Sequence, residues 1–330
     1  MEKVTVGICA RNEEKTIENC LKSVLAGIQL IQDCESEIVI NTTTSTDETL
    51  IILKKFIENN KLINTSLLSD GENLVEAERC IVNNFAADFY IFIDADTIIE
   101  KECLNELLKT LKKSNKIIAT YAKYIPHKLN NDGFIRKVNR FYDTQAEFQT
   151  KRYYLHGRVF ATRIWYIPKE IETKNRLINS NSVFLKNLTE KDKTLIVDDI
   201  YLSSFILDNF GVNSIKETPT AVAYYEPMKS IKDMYRVYRR RNIEMKKMFQ
   251  LYPEFNYLLP YLNRSINWNA LIAKDAKFYT KAIWIYFIFQ RFLFKLILKL
   301  EMILVVVKFK NATDQWKIAE STKTIVKSVR

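Results

Sequence analysis

The sequence predicts an α/β fold, a mostly parallel sheet flanked by helices, with a helical extension at its C-terminal end. Three observations predict it. The first half of the chain alternates between short apolar runs and segments of helix length. The runs are continuously apolar (Phe89-Tyr90-Ile91-Phe92-Ile93 is one), as strands covered on both faces should be. After residue 228 the strand pattern stops and the charge changes: 21 basic residues face 7 acidic ones, a balance of +14 within a chain of net +11.

Taken in order, runs 4–9, 37–41, 64–68, 89–93 and 117–122 read as strands, and 14–26, 47–58, 74–84 and 100–113 as helices. Alternation on this scale makes a parallel sheet with helices on both faces. Ser45-Thr46-Asp47-Glu48 fits a capping box, with Ser45 as N-cap of the second helix. From 134 to 228 the pattern is mixed, with a helix expected over 199–209; two more are expected over 229–250 and 279–307.

Composition excludes several functions. Hydrophobic residues at 47% and charged residues at 27% are ordinary globular values. Glycine is scarce: the six, at positions 7, 27, 71, 133, 157 and 211, write neither a G-x-G-x-x-G fingerprint nor a P-loop. The five cysteines form no C-x-x-C, and His127 and His156 complete no zinc site with them at a usual spacing. Reduced, buried cysteines and an N-terminus without an apolar signal-like region lead to an expectation of a cytoplasmic location.

Segment 279–307 carries too many charges for a membrane span. Arg291, Lys295 and Lys299 are spaced by four and share a helical face, beside Trp284, Tyr286, Phe287, Phe289, Phe292 and Phe294. That pattern describes an interfacial helix, held peripherally on the cytosolic face of an anionic membrane. The competing reading is a core or dimer helix with solvated lysines.

The strongest chemical signal is Asp94-Ala95-Asp96, directly after a strand. Residues i and i+2 of an extended chain point the same way, at the strand end where open α/β sheets place ligands. Two carboxylates so close repel unless one protonates or a cation joins them. Mg²⁺ or Mn²⁺ bridging a diphosphate satisfies that arrangement with hard oxygen ligands.

The triplet belongs to an ordered set: Val4-Thr5-Val6-Gly7-Ile8-Cys9-Ala10-Arg11-Asn12-Glu13-Glu14, then Ser45-Thr46-Asp47, Asp94-Ala95-Asp96, Gly157-Arg158-Val159-Phe160-Ala161-Thr162-Arg163, and Val197-Asp198-Asp199-Ile200-Tyr201-Leu202. Together, over about residues 3–245, these resemble glycosyltransferase family 2, inverting enzymes of the GT-A fold. The resemblance implies a nucleotide-sugar-binding half over 1–120, an acceptor half over 121–228, and a basic, amphipathic helical region over 229–330. It implies that Ala10, Asn12, Glu13, Thr42, Arg79 and Asp94 line the donor nucleotide and that Asp96, with Asp94, holds the metal. By the same resemblance Asp199 is the general base, with Asp198 beside it, and His156, Gly157 and Arg163 lie on the acceptor side.

Three departures from the family pattern follow. Thr42-Thr43-Thr44 stand where an Asp pair and Gly are usual. Glu226 stands close to where a His often completes the metal site; either it substitutes as an oxygen ligand or the site lacks a third side chain. The Gln-x-x-Arg-Trp of processive synthases is absent; Arg239 and Arg240, in a basic helix instead, are candidate phosphate contacts. The expected activity is metal-dependent, non-processive transfer from a nucleotide-sugar to a lipid-linked or saccharide acceptor. The alternatives are a sugar nucleotidyltransferase, or a non-catalytic protein binding anionic lipid or nucleic acid; no nucleic-acid partner is expected.

Overall fold

One sheet of eight strands organises the computed structural model, in the order β3-β2-β1-β4-β7-β6-β8-β5. The structure describes residues 1–306 apart from 43–44, 61–63, 72, 129–132, 145–147, 181, 187–197, 264 and 274–277. β1 (Glu2–Ala10), β2 (Cys34–Thr42), β3 (Thr65–Leu68) and β4 (Phe89–Asp94) are mutually parallel. β7 (Val159–Thr162) runs antiparallel between β4 and β6 (Ala119–Pro126). β8 (Ile215–Tyr225) lies parallel to β6, and the two-residue β5 (Ile98–Ile99) closes the far edge antiparallel to β8.

The expected strands and helices all form, with shifted ends. The sequence pattern does not show β5, β7 and β8: β5 is two residues long, β7 only four, and β8 interleaves Thr, Glu and Pro with its apolar positions.

Side-chain alternation divides the core. Val4, Val6 and Ile8 of β1, with Ile91 and Ile93 of β4, meet α1 (Ile17–Ile28) and α4 (Cys103–Lys112) on one face. Tyr90 and Phe92 point the other way, into a cluster that takes Ile81 of α3 (Leu74–Asn84) and Ile200 and Ile206 of α7 (Asp198–Phe210). Strand parity therefore sends Cys9 and Asp94 to the same face as α3 and α7.

α2 (Thr49–Asn59) corrects the capping expectation. It starts at Thr49, and the Thr49 N–H donates to Asp47 Oδ1 (3.1 Å), while Ser45 Oγ instead accepts the Asn12 N–H (3.2 Å). Ser45 stitches two loops together rather than starting the helix. Glu14 N–H to Asp47 (3.2 Å) and Glu13 N–H to Thr49 Oγ1 (2.7 Å) complete that seam.

The C-terminal helices pack on this body. They meet the mid-chain helix α5 (Phe134–Thr144), which contributes Val138, and α8 (Ile231–Leu251), capped by Ser230 accepting the Asp233 N–H at 3.0 Å, contributes Met234. α9 (Phe278–Val306) lays Ile283, Phe287 and Phe294 against both, and seats Trp284 on Phe148 and Leu271. The expected aromatic face of this helix is thus divided: Trp284, Phe287 and Phe294 are buried, whereas Phe289 and Phe292 are exposed. Hydrophobic spacing on a helix wrapped in apolar residues cannot say which stripe meets the body.

Burial of Trp284 makes α9 part of the packed structure. Trp284→Ala should lower unfolding free energy by about 3–5 kcal/mol, measured by urea denaturation. A change under about 1 kcal/mol would mean that α9 contributes little to the fold.

Candidate active site

The carboxyl ends of β1, β2 and β4 finish level with one another: Ala10 pairs with Thr42, and Cys9 with Asp94. β7, antiparallel, begins at that same level, so its entry loop, His156-Gly157-Arg158, arrives at the Asp94 end of the sheet. The Asp94 N–H donates to the Arg158 carbonyl (2.8 Å), and Arg158 Nη1 lies 3.2 Å from Asp96 Oδ1. The guanidinium rests on the Tyr225 ring, 4.5 Å from its centroid. Burial, then Asp96, raises the Asp94 carboxyl well above its usual range, against the pull of Arg158. Arg158 sits inside a motif visible in the sequence, yet nothing in the sequence shows that an antiparallel strand places it between the two carboxylates.

A second acidic pair opens α7. Burial and its neighbour Asp198 push the Asp199 carboxyl up to about 7, while Arg241 and the N–H groups of Ile200 and Gly157 act to lower it. A Cβ at Gly157 would stand 3.3 Å from Asp199 Oδ2, close enough that the carboxyl would have to shift by a few tenths of an ångström. Burial also raises Asp198, which is hydrogen-bonded to Glu78 and faces Arg240. Glu78, on the inner side of α3, is raised well above the usual carboxylate range by burial and then by Asp198. Trp165 Nε1 donates to it at 3.2 Å. Burial and Asp198 thus favour the protonated form of Glu78, which is hydrogen-bonded to Asp198. The sequence signal for it was only a charged residue among the apolar positions of α3, one place from Arg79.

The structure gathers most of the expected site residues and moves others away. Ala10 is buried at the end of β1, and Asn12 and Glu13 follow it. Asn12 adopts φ 55°, and its Oδ1 accepts the Thr46 N–H (2.8 Å); Glu13 Oε2 accepts the Thr16 hydroxyl (2.9 Å) and its charge reaches Asp94. Thr42, also at the sheet end, turns its hydroxyl to the Leu68 carbonyl (3.3 Å); its partners Thr43 and Thr44 lie outside the described residues, as does Val197 before the α7 pair. His156 stacks on Tyr124 with ring centroids 3.9 Å apart.

Arg79, Arg163 and Arg239 do not face the carboxylates. Arg79 is held by Glu76 and the Pro168 carbonyl (2.8 Å), beside an open surface depression lined by Lys169 and Lys174. Arg163 leaves the opposite end of β7, where it bonds the Leu111 carbonyl (2.8 Å) and the Ile117 carbonyl (3.2 Å). Arg239 pairs with Glu301 of α9 (2.6 Å). In its place the next two residues of α8 face the second acidic pair: Arg240 faces Asp198, and Arg241 faces Asp199 and donates to the Tyr154 hydroxyl (2.9 Å).

A divalent cation fits the Asp94–Asp96 pair. Both are hard oxygen donors, burial and then their mutual repulsion raise Asp94, and a cation would relieve that repulsion. No cluster of three or more acidic, His or Cys side chains suited to a metal occurs among the described residues. Glu226 does not supply a third ligand: it is buried in an ion pair with Arg136, and Lys229 approaches the same oxygen at 3.5 Å. Such a cation would complete its shell with diphosphate and water oxygens.

Residues 5–167 match the family described as Glycosyl transferase family 2, and this part of the chain belongs to that family. The enzyme is a glycosyltransferase. Similar solved structures include glucosyl-3-phosphoglycerate synthase from Mycobacterium tuberculosis in complex with Mn²⁺, UDP and glucosyl-3-phosphoglycerate (15% identity over 76% of this chain and 80% of that one, TM-score 0.47). A mannosyltransferase from Pyrobaculum calidifontis in complex with GDP-Man and Mn²⁺ is similar over 94% of this chain and 87% of that one (17% identity, TM-score 0.48). No curated protein matches the chain.

If Glu226 is structural, removing its partner should unfold rather than demetallate. Arg136→Ala should cost about 3–5 kcal/mol of stability, since it removes the buried partner of a buried carboxylate. Divalent-ion affinity per folded molecule, read by isothermal titration calorimetry, should stay within about twofold in Glu226→Gln, a shift well below 1 kcal/mol.

Proposed function

We propose that the enzyme moves a sugar from a nucleoside-diphosphate sugar to a hydroxyl of a lipid-linked or saccharide acceptor, by single displacement with inversion. The observation that carries this reading is the placement of Asp199. A carboxyl held near neutrality, backed by the Gly157 N–H and faced by Arg241, shares the sheet end with Asp94 and Asp96. A base working near neutral pH needs that kind of environment.

In the proposed reaction the acceptor hydroxyl gives its proton to Asp199 and its oxygen bonds to the anomeric carbon. The bond from that carbon to the diphosphate oxygen breaks, and its electron pair leaves on the diphosphate. A Mg²⁺ or Mn²⁺ ion on Asp94 and Asp96 would supply charge stabilisation for that leaving group. Arg158 neutralises the same carboxylates on the protein side, and Arg241 keeps Asp199 from rising further. Arg240 acts on Asp198, which is also hydrogen-bonded to Glu78. The absence of a Gln-x-x-Arg-Trp segment supports one transfer per encounter.

Asp199→Asn should lower kcat by about 10²–10⁴, with donor affinity changed little. In the wild type, kcat should rise with pH through about 7 as Asp199 loses its proton, and level off above. That limb should be missing from the residual activity of Asp199→Asn; a surviving limb would assign it to another group. Asp96→Asn should remove most turnover and weaken divalent-ion binding, both measured with a panel of sugar nucleotides. Full activity in excess chelator would reject the cation.

A further inference from the structure

We propose that the outward face of α9 is a docking surface for an anionic lipid bilayer. The helix buries one side against α5 and α8, and its opposite side remains apolar in solution. Ile285 (66% exposed), Phe289 (60%), Phe292 (61%), Leu296 (46%), Leu300 (54%) and Ile303 (59%) succeed one another at steps of three or four residues. They form one stripe, about 27 Å long at 1.5 Å per residue. An exposed apolar face this long on a soluble surface marks an interaction site.

Charge selects the partner. Lys281, Arg291, Lys295 and Lys299 are all exposed, and helical geometry sets them along one border of the stripe. Glu301 is the sole acidic residue between 278 and 303, and it is turned inward to Arg239. The exposed face therefore combines a lipid-seeking stripe with a cationic border and offers no anion of its own. That is the complement of a negatively charged membrane surface, with long basic side chains able to reach headgroups while the stripe sinks below them. A two-fold contact of this stripe with its copy would bring no exposed carboxylate from residues 278–303 to these cations. No helix among the described residues is long and apolar enough to cross a membrane, so the helix would lie in the interface plane.

The test uses the full chain and vesicles of phosphatidylcholine alone or mixed with phosphatidylglycerol, separated by sedimentation. Partitioning to the anionic vesicles should exceed that to neutral ones by about tenfold and fall severalfold in high salt. Phe289→Ser with Phe292→Ser and Leu296→Ser should lose most partitioning. Lys295→Glu with Lys299→Glu, which leaves the apolar stripe intact, should lose it too and so stands as a second reading if the triple variant misfolds. None of these residues touches the carboxylate cluster, so donor hydrolysis serves as the check of fold. Equal partitioning to both vesicle types, partitioning unaffected by the charge reversal, or a dimer in sedimentation equilibrium that the stripe substitutions dissociate would each overturn the proposal.

Discussion

Electrostatic repulsion at one end of the sheet is the constraint on which the rest of the structure depends. Five carboxyl groups, from Glu78, Asp94, Asp96, Asp198 and Asp199, converge there from three parts of the chain: α3, the end of β4 with the turn after it, and the start of α7. Such a group of charges does not stay together without compensation. Two means of compensation are visible. Burial favours the protonated form of Glu78, and a hydrogen bond joins it to Asp198. Arginines supply the remainder, with Arg158 beside Asp96 and α8 turning Arg240 and Arg241 toward the other pair.

That requirement accounts for the departure from a purely parallel sheet. A parallel strand beside β4 would begin at the opposite end and could not deliver its entry loop to the Asp94 end. β7, running the other way, brings Gly157 and Arg158 in from the side where β4 exits. It also accounts for α8, whose basic character looks like a solvated face when read alone. Three consecutive arginines there meet three different carboxylates: Arg239 meets Glu301, Arg240 faces Asp198, and Arg241 faces Asp199. The C-terminal helices therefore serve the site as well as the fold.

The parts of the molecule legible in the sequence were those governed by local periodicity. Long continuous strands such as Phe89–Asp94 and helices such as Leu74–Asn84 are visible because their own residues determine them. Asp94, Asp96 and Asp199 were legible through an ordered motif that keeps its spacing. What escaped was set by contacts between distant segments. Arg163 and Arg158 sit five residues apart in one motif, yet they belong to opposite ends of a four-residue strand. Glu226 carries the right chemistry for a metal ligand, but a buried arginine from α5 claims it. The short antiparallel strands have too few residues to show a period, and the facing of α9 depends on a surface that its own sequence does not contain.

Asn12 carries a broader implication. At φ 55° it makes the left-handed bend after β1 that glycine most often supplies, and it holds Thr46 of the neighbouring loop. Asparagine is among the few residues with a side chain that enter this region readily. A glycine there would leave the unfolded chain with more freedom to lose, a difference of about 0.4–1 kcal/mol at a single position. With six glycines in 330 residues, the chain has few such points of freedom, and Gly71 and Gly211 place two of them at positive φ. The resulting rigidity begins in the denatured ensemble, which is narrower before any native contact has formed.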